Sequence, residues 1–158
     1  MRRKDRQMTD QKNIDTCIEG CFFTTLVMVD EGRPYAIPIN FGYVDGTFYL
    51  HSARAGKKVD ILKKNGKVPV QLLFVSKAEL KDSASADAPA CDLSCTYASV
   101  IVEGDLEEVY DEEEAMKGMR AMLNIVGKKE KKLAAENLQS ILIMKVTVRS
   151  MTGKANGA

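Results

Sequence analysis

The stretch Pro34-Tyr35-Ala36-Ile37-Pro38-Ile39-Asn40-Phe41-Gly42-Tyr43 decides the fold class of this sequence. Large apolar side chains recur at every second position from Tyr35 to Tyr43, and small or polar ones stand between them, which is the period of a β-strand. Pro38 has no amide proton to donate to a ladder, so we expect it at a sheet edge, at a bulge or against a ligand. The stretch therefore predicts one continuous strand over 35–43 with one large apolar face.

Five further runs surround this stretch and also predict strands: 22–29, 48–52, 68–75, 96–110 and 141–148. Asp45-Gly46 predicts a hairpin turn between the second and third strands, and Gly104 predicts a bulge in the fifth. Six strands in hairpin order with short helices between them indicate a mainly β fold, a six-stranded antiparallel barrel decorated by helices. We find no internal repeat or linker, so residues 1–158 are expected to form a single domain.

Four helices are predicted from caps and periodicity. Thr9 or Asp10 would cap a helix reaching Glu19, and Asn65-Gly66 would end one that covers residues 57–64. Asp111 with Glu114 forms an acidic variant of the capping box, and a short helix is expected over 133–139. The third helix carries an apolar stripe that we expect to contact the core or a second subunit: Met116, Met119, Leu123 and Val126. Residues 82–92 have the composition of a loop.

Composition excludes several classes of partner. The 23 basic and 22 acidic residues leave a net charge of +1, which gives no general field to attract nucleic acid. No run approaches the ~20 apolar residues of a membrane span, and no signal peptide precedes the first helix. We therefore expect a cytoplasmic protein that binds neither nucleic acid nor membrane. The basic start, Arg2-Arg3-Lys4 with Arg6, is interpreted as a solvated end.

Four cysteines form two C-x-x-x-C pairs: Cys17 with Cys21 and Cys91 with Cys95. The spacing is within the loose range of zinc ligands, so a zinc-stabilised interaction module is one alternative. Cys17 and Cys21 lie one helical turn apart on the apolar side of the first predicted helix, and burial as free thiols explains them more simply. We therefore predict no metal site.

The segment 51–58, His51-Ser52-Ala53-Arg54-Ala55-Gly56-Lys57-Lys58, has the strongest anion-binding pattern in the chain. A strand ends in a hydroxyl, a turn of small residues follows, and a helix begins with two lysines. The first amides of a helix lack internal partners and carry partial positive charge, which favours phosphate. Ser52, Lys57 and Lys58 would hold it. His51, the one histidine, is either a structural residue or part of this site.

The small face of the 35–43 strand lies one hairpin away from this turn. Ala36, Pro38 and Gly42 would permit the close backbone approach that a flat heteroaromatic ring needs, and Asn40 offers both a donor and an acceptor for ring edges. Tyr43 and Tyr97 could stack or hydrogen-bond there. A phosphate site beside a flat-ring site indicates a mononucleotide.

Several segments together resemble the flavin-nucleotide-binding family, which includes proteins related to nitroimidazole resistance and belongs to the pyridoxamine 5'-phosphate oxidase superfamily. The segments are Met1-Arg2-Arg3-Lys4-Asp5-Arg6, the stretch 34–43, Phe48-Tyr49-Leu50-His51-Ser52-Ala53-x-x-Gly56-Lys57-Lys58, Cys95-x-Tyr97-x-Ser99-Val100-Ile101-x-x-Gly104 and Met151-Thr152-Gly153-Lys154. They cover nearly the whole chain in the order typical of the family. The resemblance implies an FMN-binding split barrel and a homodimer with the flavin at the interface.

Carried over to this chain, the resemblance implies a set of cofactor-binding residues. Ser52, Lys57 and Lys58 would hold the phosphate, with His51 nearby. Pro38, Ile39, Asn40 and Phe41 would line the ring, and Tyr97 and Ser99 would complete the site from the partner subunit. FMN is the expected cofactor, with FAD as the alternative.

The end of the chain departs from true pyridoxamine-phosphate oxidases. Those enzymes end in a basic R-L-x-x-R motif, whereas this chain ends Arg149-Ser150-Met151-Thr152-Gly153-Lys154 and a small-residue tail, so vitamin B6 oxidation is not expected. The first functional hypothesis is an FMN-dependent oxidoreductase that takes electrons from a reduced donor such as a nicotinamide nucleotide. It would pass them to a small oxidised molecule such as a nitroaromatic, with His51 as the candidate catalytic residue. A non-enzymatic flavin-binding electron carrier is the second hypothesis.

Overall fold

A computed structural model describes residues 3–81 and 94–157 of the chain. The elements in chain order are β1 (Gln7–Met8), α1 (Gln11–Glu19), β2 (Thr24–Asp30), β3 (Arg33–Ile39), β4 (Phe41–Val44), β5 (Thr47–Ala53), α2 (Lys57–Asn65), β6 (Lys67–Lys81), β7 (Ser94–Glu108), α3 (Glu112–Ile125) and β8 (Ile141–Asn156). Single turns of 3-10 helix cover Lys4–Arg6 and Ala135–Leu138.

All of these strands belong to one antiparallel sheet with the order β3-β2-β6-β7-β8-β5-β4, and the two-residue β1 is added to β8. The two strands at the ends of this order, β3 and β4, are joined in sequence by the single residue Asn40. One residue cannot span a flat sheet of seven strands, because neighbouring strands are about 4.8 Å apart. The sheet must therefore curl until its two ends meet, which confirms the mainly β antiparallel prediction and gives the barrel its shape.

The prediction of one continuous strand over 35–43 is wrong. The pairing of β3 with β2 ends at Ile39, and the pairing of β4 with β5 begins at Phe41. Asn40 therefore separates two strands that have different partners. The Asn40 side-chain amide donates to the Phe22 carbonyl at 3.1 Å. Residues 3–81 and 94–157 contain eight strands rather than the predicted six, because this stretch gives two and β1 was not expected. The expectation that Pro38 lies on an edge strand is confirmed.

The last long strands extend further than their apolar runs. β6 continues to Lys81 and β8 to Asn156, beyond the predicted ends at 75 and 148. Backbone pairing with β7 carries both extensions. Residues 77–81 of β6 are all exposed and the β8 extension is largely polar, so hydrophobic periodicity alone does not reveal them. The β7–β8 register shifts between Glu103 and Gly104, but the extra residue is Arg149 of β8, so the irregularity lies opposite Gly104 and the bulge predicted in β7 itself is wrong.

Three phenylalanines fill the centre of the barrel. The ring of Phe41 meets that of Phe74 edge-on at 4.9 Å between centroids, and Phe48 lies 5.3 Å from Phe74. All three are at most 1% exposed. Aliphatic side chains of β2, β6 and β7 surround them, and Ile14 and Ile18 of α1 close the same cluster.

The helix α3 covers the outer face of β4 and β5 at unusually short distance. A Cβ on Gly42 would come within 2.6 Å of the Met122 amide nitrogen, and one on Gly118 within 2.6 Å of the Tyr49 ring. The buried side of α3 is therefore its small side with one methionine: Ala115, Gly118, Ala121 and Met122. The predicted stripe of Met116, Met119, Leu123 and Val126 is not this side. These four are only half-buried, because a helix that packs on a glycine needs its small residues at the contact.

The helix termini follow the predicted caps. The carboxylate of Asp10 accepts from the Lys12 amide, that of Asp111 accepts from the Glu114 amide, and Gly66 follows α2 with a φ of 71°. The short helix expected over 133–139 is only the 3-10 turn Ala135–Leu138. The loop predicted over 82–92 lies outside the described residues. In the described part of the chain, none of the helices combines the length and apolar composition that a bilayer span needs.

Candidate functional site

The turn between β5 and α2 leaves an open helix N-terminus. Gly56 precedes α2 with φ 111° and ψ 166°, a conformation that side-chain-bearing residues rarely adopt, and no side chain caps the helix. The Gly56 carbonyl accepts from the Val59 and Asp60 amides at 2.8 and 3.1 Å, so the amides of Lys57 and Lys58 are left to point outward. Two free amides at the positive end of a helix dipole form a site that fits a phosphate.

The two lysines of this turn have different environments. The Lys57 ammonium lies 3.4 Å from the Asp30 carboxylate and 5.1 Å from the centroid of the Tyr35 ring. Lys58 is half-buried and forms no ion pair within residues 3–81 and 94–157. Lys58 is therefore the cation of the turn that remains available to an anionic ligand.

Ser52 lies on the inner side of the barrel wall. It is 7% exposed, and its hydroxyl donates to the Ala53 carbonyl at 2.7 Å. The hydroxyl is thus already engaged, although both lone pairs of its oxygen can still accept a bond. In this arrangement the free amides and Lys58 are better placed than Ser52 to donate to a phosphate.

His51 lies on the outer side of β5, beneath α3. Its Nδ1 is 3.2 Å from the sulfur of Met122. Because a thioether can only accept, this contact is a hydrogen bond when Nδ1 carries the proton, which leaves Nε2 as a free acceptor. Burial lowers the pKa of His51, and the charge of Lys58 lowers it further. Met122 was missed by the sequence analysis, since only the packing of α3 identifies its buried side.

The four residues expected to line a ring divide between the two sides of the barrel wall. Ile39 and Phe41 point into the core, at 9% and 1% exposed, so only their backbone can reach a ligand. Pro38 is exposed and Asn40 is half-buried on the outer side. Phe41 and Leu50 are the last pair between β4 and β5. Asn40 and His51, one residue beyond this pair on each side, therefore lie next to each other. The structure therefore brings the Pro38–Phe41 segment next to the start of the segment 51–58.

Gly42 and Tyr43, which were also expected to contact a flat ring, are instead in contact with helices or core residues of the same chain. Gly42 does not offer close approach to a flat ring, because the backbone of α3 occupies that approach. The Tyr43 hydroxyl donates to Asp15 at 3.1 Å, and its ring stacks on Phe48 at 4.6 Å. Burial and the Asp15 hydrogen bond raise the pKa of Tyr43 to about 12. Within this chain, Tyr43 joins α1 to the barrel wall.

Tyr97 and Ser99 lie on β7, away from the segments just described. β3 and β7 are separated by two strands in the sheet, which places them three strand spacings, about 14 Å, apart. The ammonium of Lys154 is 5.6 Å from the Tyr97 ring centroid, and the Ser99 hydroxyl donates to the Lys154 carbonyl at 3.4 Å. One chain alone does not bring these two residues to Pro38 and Asn40.

The outer face of β2, β6 and β7 is apolar and exposed. Five large side chains of these strands or the segment before β2 are well exposed: Phe23 at 60%, Val29 at 58%, Leu73 at 38%, Val75 at 53% and Ile101 at 42%. We call this set the apolar face. It lies between the Pro38 segment and Ser99, because Pro38, Thr25, Leu73 and Ile101 are successive partners across four strands.

A cavity of about 290 Å³ opens on the other side of the turn. Its apolar floor includes Ile143, which is the strand partner of His51, and its rim includes Arg54, Glu108 and Tyr110. The Arg54 guanidinium donates to the Gln139 carbonyl at 3.0 Å and so ties the turn to the segment before β8. The outer side of β8 therefore has room for a small molecule beside Ile143, although His51 itself does not line the cavity.

The cysteines among residues 3–81 and 94–157 are not arranged as metal ligands. Cys17 and Cys21 are buried free thiols, and the Ser76 hydroxyl donates to the Cys17 sulfur at 3.3 Å. Cys95 is an exposed free thiol, and Cys91 lies outside the described residues. Within 3–81 and 94–157, no group of three or more histidine, cysteine, aspartate or glutamate residues could hold an ion.

Comparison with known proteins identifies a family and a fold. Residues 10–155 match the family model described as pyridoxamine 5'-phosphate oxidase. A solved structure from Bacteroides thetaiotaomicron, named for proposed 5-nitroimidazole antibiotic resistance, is 27% identical with a TM-score of 0.79 over 94% of this chain and 86% of that one. No curated protein sequence matches.

More distant structures share the fold. The flavocytochrome Anf3 from Azotobacter vinelandii is 17% identical with a TM-score of 0.80, over 100% of this chain and 72% of that one. An FAD-binding protein from Mesorhizobium loti is 18% identical with a TM-score of 0.63, over 96% and 98% of the two chains. At these identities the likeness concerns the fold alone.

The pKa of His51 can be measured directly, because the chain has one histidine. We expect an NMR titration to give a value below 6.5, and Lys58→Gln to move it part of the way back. Folding disfavours the protonated imidazole, so the free energy of unfolding should fall as the pH drops below 6.5 and the unfolded state takes up the proton. Urea unfolding at neutral and mildly acid pH would show this loss, and His51→Gln should reduce it. A titration at or above 6.5 would contradict the buried position of the ring.

Proposed function

The chain belongs to the pyridoxamine 5'-phosphate oxidase family, and on this premise we propose that it is a flavoprotein that binds FMN through the turn between β5 and α2. The observation that carries the proposal is the open N-terminus of α2. It combines two free amides, a glycine at φ 111° and the unpaired Lys58 next to the Pro38–Phe41 segment. The phosphate would bind the amides and Lys58, and the ring would lie against Pro38 and Asn40. The side-chain oxygen of Asn40 is free to accept, since its amide nitrogen holds the Phe22 carbonyl.

The class of cofactor is supported by the names of similar proteins. Two of them are named for FAD, from Mesorhizobium loti and Mycobacterium smegmatis, and a third is a flavocytochrome. FMN fits this chain because the turn offers one compact phosphate site. FAD is the alternative, and it would need a second phosphate-binding group elsewhere.

We further propose that two copies of the chain form the complete site. Tyr97 and Ser99 lie about 14 Å from the Pro38 segment of the same chain, so they would reach a ring from the partner subunit. The apolar face between them gives the surface for this contact, because exposed contiguous apolar side chains are commonly covered in an assembly. A homodimer would thus cover the apolar face and close the flavin site in one step.

The proposed activity is oxidoreduction of a small molecule. A bound flavin supplies hydride or single-electron transfer, and the protein binds it, orients it and excludes competing reactions. His51 would exchange a proton with the substrate at Nε2, because Nδ1 is committed to Met122. The adjacent cavity of about 290 Å³ has the volume for a small aromatic substrate. A nitroaromatic is the favoured class, since a similar protein is named for 5-nitroimidazole resistance. A reduced nicotinamide nucleotide would be the donor.

Replacing Lys58 tests the phosphate site. We expect Lys58→Ala to weaken FMN binding by about 1.5–3 kcal/mol, roughly tenfold to 150-fold, because a charge-assisted contact is lost. Quenching of flavin fluorescence during titration measures the affinity. Lys63→Ala is the matched control, since this exposed lysine lies in the last turn of the same helix. Equal FMN affinity for Lys58→Ala and the wild type would contradict the placement of the phosphate.

Replacing Val75 tests the dimer. A carboxylate at this 53% exposed position of the apolar face would have to be buried unpaired in a dimer, so Val75→Asp should convert dimers to monomers of 17.4 kDa. Analytical ultracentrifugation gives the mass of each species. Asn124→Asp adds the same charge on the exposed side of α3 and should leave the mass unchanged. A wild type that sediments as a monomer would refute the dimer.

Turnover separates an oxidoreductase from an electron carrier. We expect the flavin-loaded protein to oxidise a reduced nicotinamide nucleotide in the presence of a nitroaromatic acceptor, and His51→Gln to lower kcat about a hundredfold to ten-thousandfold, as loss of an acid–base group does. Steady-state absorbance of the donor measures the rate. Flavin binding without turnover for any of a panel of acceptors would favour the carrier instead.

A further inference from the structure

The start and the end of the chain meet at Tyr97. The two-residue strand β1 pairs Gln7 with Lys154 of β8, and this pairing holds the preceding residue, Arg6, next to the end of β8. Lys154 lies with its ammonium 5.6 Å from the centroid of the Tyr97 ring. Hydrogen bonding from Lys154, followed by that from Arg6, lowers the pKa of Tyr97. Backbone pairing thus places the backbones of Arg6 and Lys154 side by side, and the Lys154 ammonium lies over the Tyr97 ring.

Among residues 3–81 and 94–157, these two cations have little compensating negative charge. The carboxylate of Asp5 is held by the guanidinium of Arg3, at 2.9 Å from Nε and 2.6 Å from Nη2. Arg6 reaches the same carboxylate only at 4.0 Å, and Lys154 forms no ion pair with any residue in 3–81 or 94–157. Arg3 and Asp5 therefore compensate each other, and Arg6 and Lys154 keep about two uncompensated positive charges beside one hydroxyl.

This combination matches a phosphoryl group better than other anions. A guanidinium supplies forked donors, an ammonium supplies a point charge, and a phenol donates a third hydrogen bond. The two phosphoryl groups of a dinucleotide's pyrophosphate carry one negative charge each at neutral pH, so together they match the charge of the two cations. A single carboxylate would leave one cation uncompensated.

The cluster is far from the turn assigned to the flavin phosphate. Leu142 pairs with Ser52 at one end of β8, and Lys154 lies twelve residues further along the same strand, about 40 Å along its path at 3.3 Å per residue. One mononucleotide cannot contact both sites of the same chain. Ser99, in contrast, is the strand partner of Lys154, so the cluster adjoins the residues expected to reach the partner's flavin.

We propose that Arg6, Lys154 and Tyr97 form a second phosphoryl-binding site, which takes the phosphate of a nucleotide group that lies beyond the flavin mononucleotide. The inference rests on the proposed function for the identity of the nucleotide, which is either the adenylate half of FAD or a nicotinamide nucleotide donor. It assigns to the basic start of the chain a role in binding rather than in solvation.

Binding measurements on Arg6→Gln/Lys154→Gln test the proposal. Titrations with FMN, FAD, reduced nicotinamide nucleotide and ADP, by flavin fluorescence or calorimetry, give the affinity for each. Tyr97→Phe is the second variant, because it keeps the ring and removes the hydroxyl. We expect the double variant to lose about tenfold or more in affinity for the ligands with an additional phosphoryl group and to bind FMN within about twofold of the wild type. Lys131→Gln/Lys132→Gln removes the same charge at exposed positions and is the control.

Each outcome decides the inference. A loss for FAD with unchanged affinity for the nicotinamide nucleotide supports the site and identifies its ligand as the cofactor. The reverse pattern supports the site and identifies the donor, and losses for both support the site for either ligand. ADP is part of both ligands, so its affinity should fall in every supporting case. Unchanged affinity for all four ligands, or an equal loss for FMN and FAD, overturns it. The ADP titration needs no flavin, so a wild type that binds ADP through Arg6 and Lys154 but not FMN would refute the proposed function and leave this site standing.

Discussion

The closure of the sheet through Asn40 is the constraint on which the rest of the structure depends. Because the two end strands are consecutive in the chain, the sheet has to curl until β3 and β4 meet. The curl encloses the three phenylalanine rings, and it also places the Pro38–Phe41 segment beside the turn that follows β5. The candidate site is thus a product of the same join that makes the core.

The outer surface of the barrel is divided into two halves with different partners. The helix α3 covers the half formed by β4 and β5, where Gly42 and Gly118 allow it to approach closely. The half formed by β2, β6 and β7 keeps exposed valine, leucine and isoleucine side chains. On the first half, α3 places Met122 against His51. The second half contains the apolar face, which we assign to contact with a second subunit.

Local patterns in the sequence predicted the caps at Asp10 and Asp111 and the end of α2 at Gly66, since each depends on neighbouring residues alone. The break at Asn40 was not predictable in this way, because the alternation continues through it and only the identity of the pairing strand changes. The resemblance assigned the turn and the Pro38 segment to one cofactor site, and that assignment stays a prediction. It did not reveal Met122 or the Arg6–Lys154 pair, which depend on how a helix packs and on a two-residue strand without periodicity.

The end strands also determine how copies of this protein can associate. A free strand edge normally offers amides and carbonyls to any neighbouring chain and can seed fibrils. Here β3 carries Pro34 and Pro38, which have no amide proton, and β4 is only four residues long and lies under α3. Edge-to-edge polymerisation is therefore disfavoured at both ends of the sheet, and the two prolines of β3 protect the molecule from aggregation.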